Sequence, residues 1–258
     1  MIYYRKKKTL SISEIWYTEQ ENPENADIAK YRFIPQLRSG AFFTENLFTI
    51  LIDLKKENDE IFSHIGKNTR YKISRAKDRD DIECTTVLSL NEKNDEKLRQ
   101  YMDYFNEFTA TKGRSSIKFS DLAQFYNAGT LCLRQAASKD GSIVYTMHAY
   151  VVSDSRARLH QSSSHFRNSD ESEFRNLIGR ANRYLHWDDI LYFKSLGLNY
   201  YDFGGWYGGQ SDTEKLAINQ FKEAFGGEKH IEYTYSVPLT LRGKIAVFLQ
   251  KLIKKAKA

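Results

Sequence analysis

Five glycines, at positions 113, 129, 141, 197 and 226, punctuate this chain from residue 82 onward, each just after a periodic run. Glycine in such places ends helices in the left-handed conformation or reverses a hairpin. The segments between them are therefore expected to be short, complete elements. Asp95 to Lys112 carries Leu98, Tyr101, Met102, Phe105 and Phe108 at helical spacing ahead of Gly113. Ser120 is placed to cap a second helix running to Ala128, closed by Gly129. Strands are expected at Ile82 to Leu88, Leu131 to Ala137, Ile143 to Val152 and Ala157 to Ser163, with Lys139-Asp140-Gly141 as a hairpin turn. After a polar loop, Ser164 to Glu173, a long helix is expected from Phe174 to Leu196, stopped by Gly197. A strand at Tyr200, a helix from Thr213 to Ala224 behind Ser211 or Asp212, and a strand at His230 to Val237 complete the order. That order, β-α-α-β-β-β-α-β-α-β, reads as an α/β (α+β) domain: a mixed central sheet with flanking helices.

Upstream the pattern is weaker. Leu10, Ile12 and Ile15-Trp16 suggest one strand, Glu19 to Asn25 a polar turn, and Phe48 to Leu54 a strand buried on both faces. Asn58 or Asp59 can cap a short helix to His64. Tyr71 to Lys77 looks helical and lies in the most basic segment of the body, with Arg70, Lys72, Arg75, Lys77 and Arg79. An anion-binding face and a solvated helix offset by Asp78, Asp80 and Asp81 both fit. The expected divisions are a reduced N-terminal portion at 1–80, the main domain at 81–238 and a tail at 239–258.

Charge is informative through its distribution. The net charge is +6, and Arg242, Lys244, Lys251, Lys254, Lys255 and Lys257 supply all of it, because the rest of the chain sums to zero. The body therefore has no nucleic-acid-binding charge excess. Leu241, Ile245, Phe248, Leu249, Leu252 and Ile253 fall on one helical face of that tail. Two readings stay open: a C-terminal amphipathic helix drawn to an anionic membrane surface, or a helix docked on the body with solvated lysines. No apolar run spans a bilayer and Met1 to Lys8 lacks the apolar core of a signal peptide. Cys84 and Cys132 are expected to be buried free thiols in a reducing cytoplasm.

Three ordered blocks carry a resemblance. The first is Thr49-Ile50-Leu51-Ile52-Asp53-Leu54 followed by Lys67 to Ala76, KNTRYKISRA. The second is Gly179 to Ile190, GRANRYLHWDDI. The third is Tyr201-Asp202-Phe203-Gly204-Gly205 with Phe221-Lys222-Glu223-Ala224-Phe225-Gly226-Gly227. Together they resemble the "ILDL … KKTRYNIRKA", "N…L.W..I" and "YDFGG … FK..FGG" blocks of Fem-type (FemABX-like) aminoacyl/peptidyl transferases, within the GNAT acyltransferase superfamily. The element order is also that of GNAT-type enzymes. The resemblance implies a GNAT-like domain preceded by a reduced GNAT-like portion. It implies transfer of an acyl or aminoacyl group from acyl-CoA or aminoacyl-tRNA to an amine of a cell-envelope precursor, on a lipid-linked sugar, a polysaccharide or a peptidoglycan stem peptide. The location implied is cytoplasmic, or peripheral at the inner face of the cell membrane. A non-catalytic GNAT-like module binding a ligand or partner in the same cleft is the other reading. No permanently bound cofactor is expected.

Acyl transfer to an amine needs a neutral amine, donors for the oxyanion and a proton for the leaving group. In the GNAT architecture two central strands splay apart at the acyl carbonyl. Here they would be Ala157–Ser163 and Tyr200–Phe203. Asp202, at the end of its strand, can accept the amine's proton, hold the ammonium, or cap the following turn. Tyr200 and Tyr201 face opposite ways, so one can reach the leaving group as an acid while the other enters the core; Tyr201 is the candidate acid and Tyr200 a candidate contact. Lys222 matches the family lysine and would suit a phosphate, a carboxylate or the oxyanion; an ordinary exposed helix lysine is the alternative. Substrate contacts are expected from Arg70, Tyr71, Arg75, Trp187, Trp206 and Tyr207, the last two in a glycine-rich loop that either binds phosphate or gates. The GNAT donor-pyrophosphate signature is matched, except at its first position, by Asn176-Leu177-Ile178-Gly179-Arg180-Ala181; Asn176, Gly179, Arg180 and Ala181 are the donor-binding candidates. No histidine pair has metal-ligand spacing and no Gly-x-Ser-x-Gly elbow occurs, so neither a metal nor an acyl-enzyme is expected.

Overall fold

The computed structural model describes residues 1–7, 9–19, 23, 25–39, 41–164 and 171–255, with the backbone alone at 5–7 and 251–255. Most of the expected turn at Glu19 to Asn25 and of the loop at Ser164 to Glu173 lies outside the described residues. The chain divides into two compact units, residues 50–228 and residues 1–49 with 229–258. This differs from the divisions expected at 80/81 and 238/239. The first two helices belong with the larger unit, and the last strand and the tail belong with the N-terminus.

The larger unit begins with the end of strand β4 (Phe42–Asp53), then α1 (Asn58–His64) and α2 (Lys67–Arg79). It continues through β5 (Ile82–Leu88), α3 (Asp95–Thr111), α4 (Phe119–Asn127), β6 (Leu131–Ser138), β7 (Val144–Val152) and β8 (Arg156–Ser164). The long α5 (Ser172–Ser195), β9 (Tyr200–Trp206) and α6 (Thr213–Glu223) complete it. Its strands lie in the order β4-β9-β8-β7-β6-β5. The ladders β5/β6, β6/β7 and β7/β8 are antiparallel, and β8/β9 is parallel.

Local signals explain the helix limits. Asn94 accepts from the N–H groups of Glu96 and Lys97, both at 3.1 Å, and so starts α3. Asp212 does the same for α6 through Lys215 N–H at 3.0 Å. The start of α4 differs from expectation: Lys118 precedes it, and Asp121 accepts from Lys118 N–H at 2.8 Å, so Ser120 lies inside the helix. The main core joins Ile50, Ile52, Tyr150, Ile190, Phe193, Tyr201, Phe203 and Phe225 across β4, β7, α5, β9 and the end of α6.

The smaller unit contains β1 (Ile2–Lys7), β2 (Leu10–Trp16), β3 (Ile28–Ile34), β10 (Glu228–Pro238) and α7 (Leu241–Lys255). Antiparallel β1/β2, parallel β2/β3 and antiparallel β3/β10 ladders join its strands in the order β1-β2-β3-β10. The stacked rings of Tyr31 and Tyr235, 5.2 Å apart, centre one face, with Ile15, Ala29 and Ile34 buried around them. The other face buries Ile12 and Ile28 against Val247 of α7. Strands β1 and β3 escaped the sequence reading because charged and polar residues interrupt their apolar pattern.

Candidate active site

The fork between β8 and β9 organises the larger unit. The parallel ladder holds only at Arg156↔Tyr200, Ala157↔Tyr201 and Arg158↔Asp202. Beyond it β8 continues beside β7 to Ser164, and β9 runs on to Trp206. Gly204 sits at the branch with φ +71°, and a Cβ there would lie 2.7 Å from the carbonyl oxygen of Leu159. Glycine is required twice over, by conformation and by space.

Asp202 is fully buried at this fork. Its Oδ2 accepts from Arg156 Nε at 2.8 Å and from the guanidinium of Arg158, and its Oδ1 accepts from Gly204 N–H at 2.8 Å. Both oxygens are occupied by charge-assisted or backbone donors. A carboxylate so held is a poor proton acceptor, which corrects the base and ammonium-holding readings of Asp202. The turn-capping reading matches the Gly204 bond. The pairing follows from parallel registry: Arg158 lies opposite Asp202 and Arg156 two residues away on the same face. That Arg-x-Arg alternation was the signal available in the sequence.

Tyr201 also departs from its expected role. Its hydroxyl lies 2.8 Å from Tyr150 Oη and 2.6 Å from His186 Nδ1, and Tyr150 donates to Asp189 Oδ2 at 2.6 Å. All four side chains are buried. Each hydroxyl can donate once, so a single direction satisfies the chain: His186 Nδ1–H to Tyr201, Tyr201 to Tyr150, Tyr150 to the carboxylate. Burial pushes both tyrosines well above the ordinary phenol range and holds His186 well below the ordinary imidazole range, helped by the charges of His148 and Lys222. Tyr201 is therefore a link in a core network rather than an acid for a leaving group. Asp189 is further held by Arg134 Nε at 2.8 Å.

Lys222 is the group that stands out. It projects from the last turn of α6 and donates from Nζ to the carbonyl oxygen of Gly205 at 2.5 Å. Burial draws its pKa down to about 8, Asp202 acts in the opposite sense, and Arg158 adds to the lowering. An ammonium that titrates near neutrality beside a strand fork can stabilise developing negative charge or release a proton to a leaving group. The loop beyond β9 is tied to the same helix. Asn219 clamps Tyr207 by accepting from its N–H at 2.9 Å and donating to its carbonyl at 2.7 Å, and Trp206 Nε1 donates to Glu223 at 2.8 Å.

A cleft of about 400 Å³ opens on the other side of α6, between that helix, the start of α2 and α5. Lys67, Asn68, Thr69, Arg183, Gln220 and Phe221 line it. Arg183 lies over the Phe221 ring, 4.8 Å from its centroid, and donates to Gly179 O at 2.8 Å. Burial lowers the pKa of Arg183, while burial and then the charges of Arg183 and Arg180 lower that of Lys72. Among the described residues, Lys67, Lys72 and Arg183 form no ion pair with a carboxylate. The cleft can thus take an anion.

The remaining candidates scatter. Arg70 donates to Ser63 O at 3.2 Å, Tyr71 is exposed, and Arg75 lies 3.6 Å from Asp80. Trp187 packs on Phe62 with centroids 4.9 Å apart, a core contact. Tyr200 starts β9 with Lys55 over its ring, and Trp206 ends it, so about 20 Å of strand separates them. The donor-binding quartet corrects most clearly. Asn176, Gly179, Arg180 and Ala181 lie beyond the first turn of α5, where backbone N–H groups are spent on the preceding turn. Arg180 is moreover bound to Asp80, and Ala181 is buried. The sequence reading passed over Lys67, Asn68 and Gln220, because nothing local shows that the start of α2, the last turns of α6 and the middle of α5 meet.

No protein-family model matches the sequence, and no curated protein matches it. Solved structures do. FemX aligns with a TM-score of 0.64 at 12% identity, covering 91% of this chain and 83% of that one. The C-terminal domain of a protein described as a lysylphosphatidylglycerol synthetase from Agrobacterium fabrum aligns at 0.56 and 12%, covering 96% and 83%. L-PGS from Bacillus licheniformis aligns at 0.55 and 10%, covering 96% and 84%. The strand order, the fork and these alignments agree: the chain has the mixed α/β fold shared by FemX and the lysylphosphatidylglycerol synthetase domain.

Proposed function

We propose that this protein is an acyl- or aminoacyltransferase whose reacting centre lies at the β8/β9 fork, with Lys222 as its electrostatic group. The observation that carries the reading is Lys222 itself, a cation with a pKa near 8 bonded to the strand-end carbonyl of Gly205. The likeness to FemX and to proteins named for aminoacylated phosphatidylglycerol supports transfer of an aminoacyl group. Donors of both kinds, acyl-CoA and aminoacyl-tRNA, carry phosphates that suit the cationic cleft beside Arg183. The acceptor is an amine of a cell-envelope precursor.

In this mechanism the neutral amine attacks the acyl carbonyl, forming the new C–N bond as the carbonyl pair moves onto oxygen. The Lys222 ammonium stabilises that oxyanion. Collapse of the intermediate expels the thiolate of CoA or the ribose oxygen of tRNA, which takes a proton from Lys222 or from water. The amine's own proton leaves to solvent, since Asp202 is engaged by two arginines. Purified protein incubated with acetyl-CoA or charged tRNA and an amine acceptor should release free thiol or deacylated tRNA with matching amide formation. Lys222→Met should lower the rate by about two to three orders of magnitude. An unchanged rate in that variant refutes the assignment.

A further inference from the structure

We propose that α7 docks this protein on an anionic phospholipid surface. The helix is fixed to the smaller unit along a narrow line. Gly243 approaches so closely that a Cβ would lie 2.0 Å from Asp27 O, Val247 is 2% exposed against Ile12 and Ile28, and Thr240 donates to Asp27 Oδ1 at 2.7 Å. The apolar stripe points the other way. Leu241 is 73% exposed, Ile245 52%, Phe248 61% and Leu249 52%, at the i, i+4, i+7, i+8 spacing of one helical face. The docked-helix reading holds for the backbone, yet the stripe expected to seal it faces outward.

Charge selects the occupant. From Leu239 to Ala258 there are six cationic and no acidic side chains. Two copies meeting through this face would bring like charges together at a cost. An anionic bilayer offers both things the face lacks, an apolar layer for the stripe and phosphates for the lysines. At 15 residues the helix is about 22 Å long, and no helix among the described residues is long and apolar enough to cross a membrane. It therefore lies in the interface plane.

The full chain is to be sedimented with sucrose-loaded vesicles of pure phosphatidylcholine, and of equal parts phosphatidylcholine and phosphatidylglycerol. It should pellet with the second and stay in solution with the first, and added salt should weaken the binding. Phe248→Ser with Leu249→Ser should lower the partition coefficient more than about tenfold, and Lys244→Glu about tenfold. These positions are exposed, so both variants should keep the parent's melting temperature. Supernatant protein with both vesicle types overturns the proposal, as does undiminished binding by the serine variant. A concentration-dependent dimer abolished by the same serines, without vesicle binding, also overturns it and assigns the face to a second copy.

Discussion

Replacing Lys222 by Met should separate stability from activity in opposite directions. The folded pKa of Lys222 is about 8, against 10.5 in the unfolded chain. Between those values the unfolded state binds the extra proton, so stability rises with pH across that window, and below pH 8 the full penalty is present. The shift corresponds to up to about 3 kcal/mol, because one unit is about 1.4 kcal/mol. Methionine removes this penalty but also removes the bond to Gly205, worth about 1 kcal/mol. The net gain at pH 7 should be about 2 kcal/mol, or roughly 4–8 °C in Tm for a unit of this size, and it should reach zero near roughly pH 10 and reverse above it, once the charge penalty falls below the worth of the lost bond. Activity moves the other way. The wild-type rate should fall through an alkaline limb near pH 8 as the ammonium is lost. Lys222→Arg, which stays charged, should keep part of the rate and lose that limb. Calorimetry at two pH values and a pH–rate profile measure both arms. A Met variant no more stable at neutral pH, or an arginine variant with the limb still at pH 8, would refute the reasoning.

Asp202→Asn leaves Arg156 and Arg158 buried beside an uncharged amide, and urea denaturation should show a loss of about 3–5 kcal/mol with little change in rate per folded molecule. Tyr201→Phe interrupts the chain from His186 to Asp189 and should cost about 1–3 kcal/mol, again without a matching loss of kcat. Arg183→Ala should raise KM for the phosphate-bearing donor about tenfold while kcat changes less, since one charge-assisted contact contributes about 1.5–3 kcal/mol; calorimetric titration with inorganic pyrophosphate reports the same loss directly.

Elements long enough to show a period were legible in the sequence. The glycine stops placed α3, α5 and α6 to within a few residues, and Asp212, one of the two cap candidates for α6, is the residue that caps it, because these signals act within a turn. What the sequence hid depends on partners far along the chain. Asp202 and Tyr201 look like chemistry in a motif, and only the opposing strand and helix show that arginines, a tyrosine and a histidine consume them. The donor quartet matched its signature except at the first position and lies past the first turn of α5, whereas a helix-terminus phosphate site requires unspent N–H groups, which exist only at a helix's first turn. Lys222 stood out in the sequence because it interrupts an aromatic helix end, a local fact. The unit division was invisible for the opposite reason: β3 and β10, which pair as Tyr31↔Tyr235, are separated by the whole of the larger unit.

That pairing gives the chain an order of assembly. The larger unit occupies a continuous stretch, residues 50–228, whereas the smaller one needs residues 1–49 together with residues that follow 228. During synthesis the N-terminal strands leave the ribosome first and must wait without their β10 partner while the middle of the chain folds. Strand β3, already paired to β2 on one side, is an unfinished edge on the other throughout that interval, open to pairing with other chains. Expression conditions that slow elongation past codon 228 should therefore raise aggregation more than those that slow it earlier.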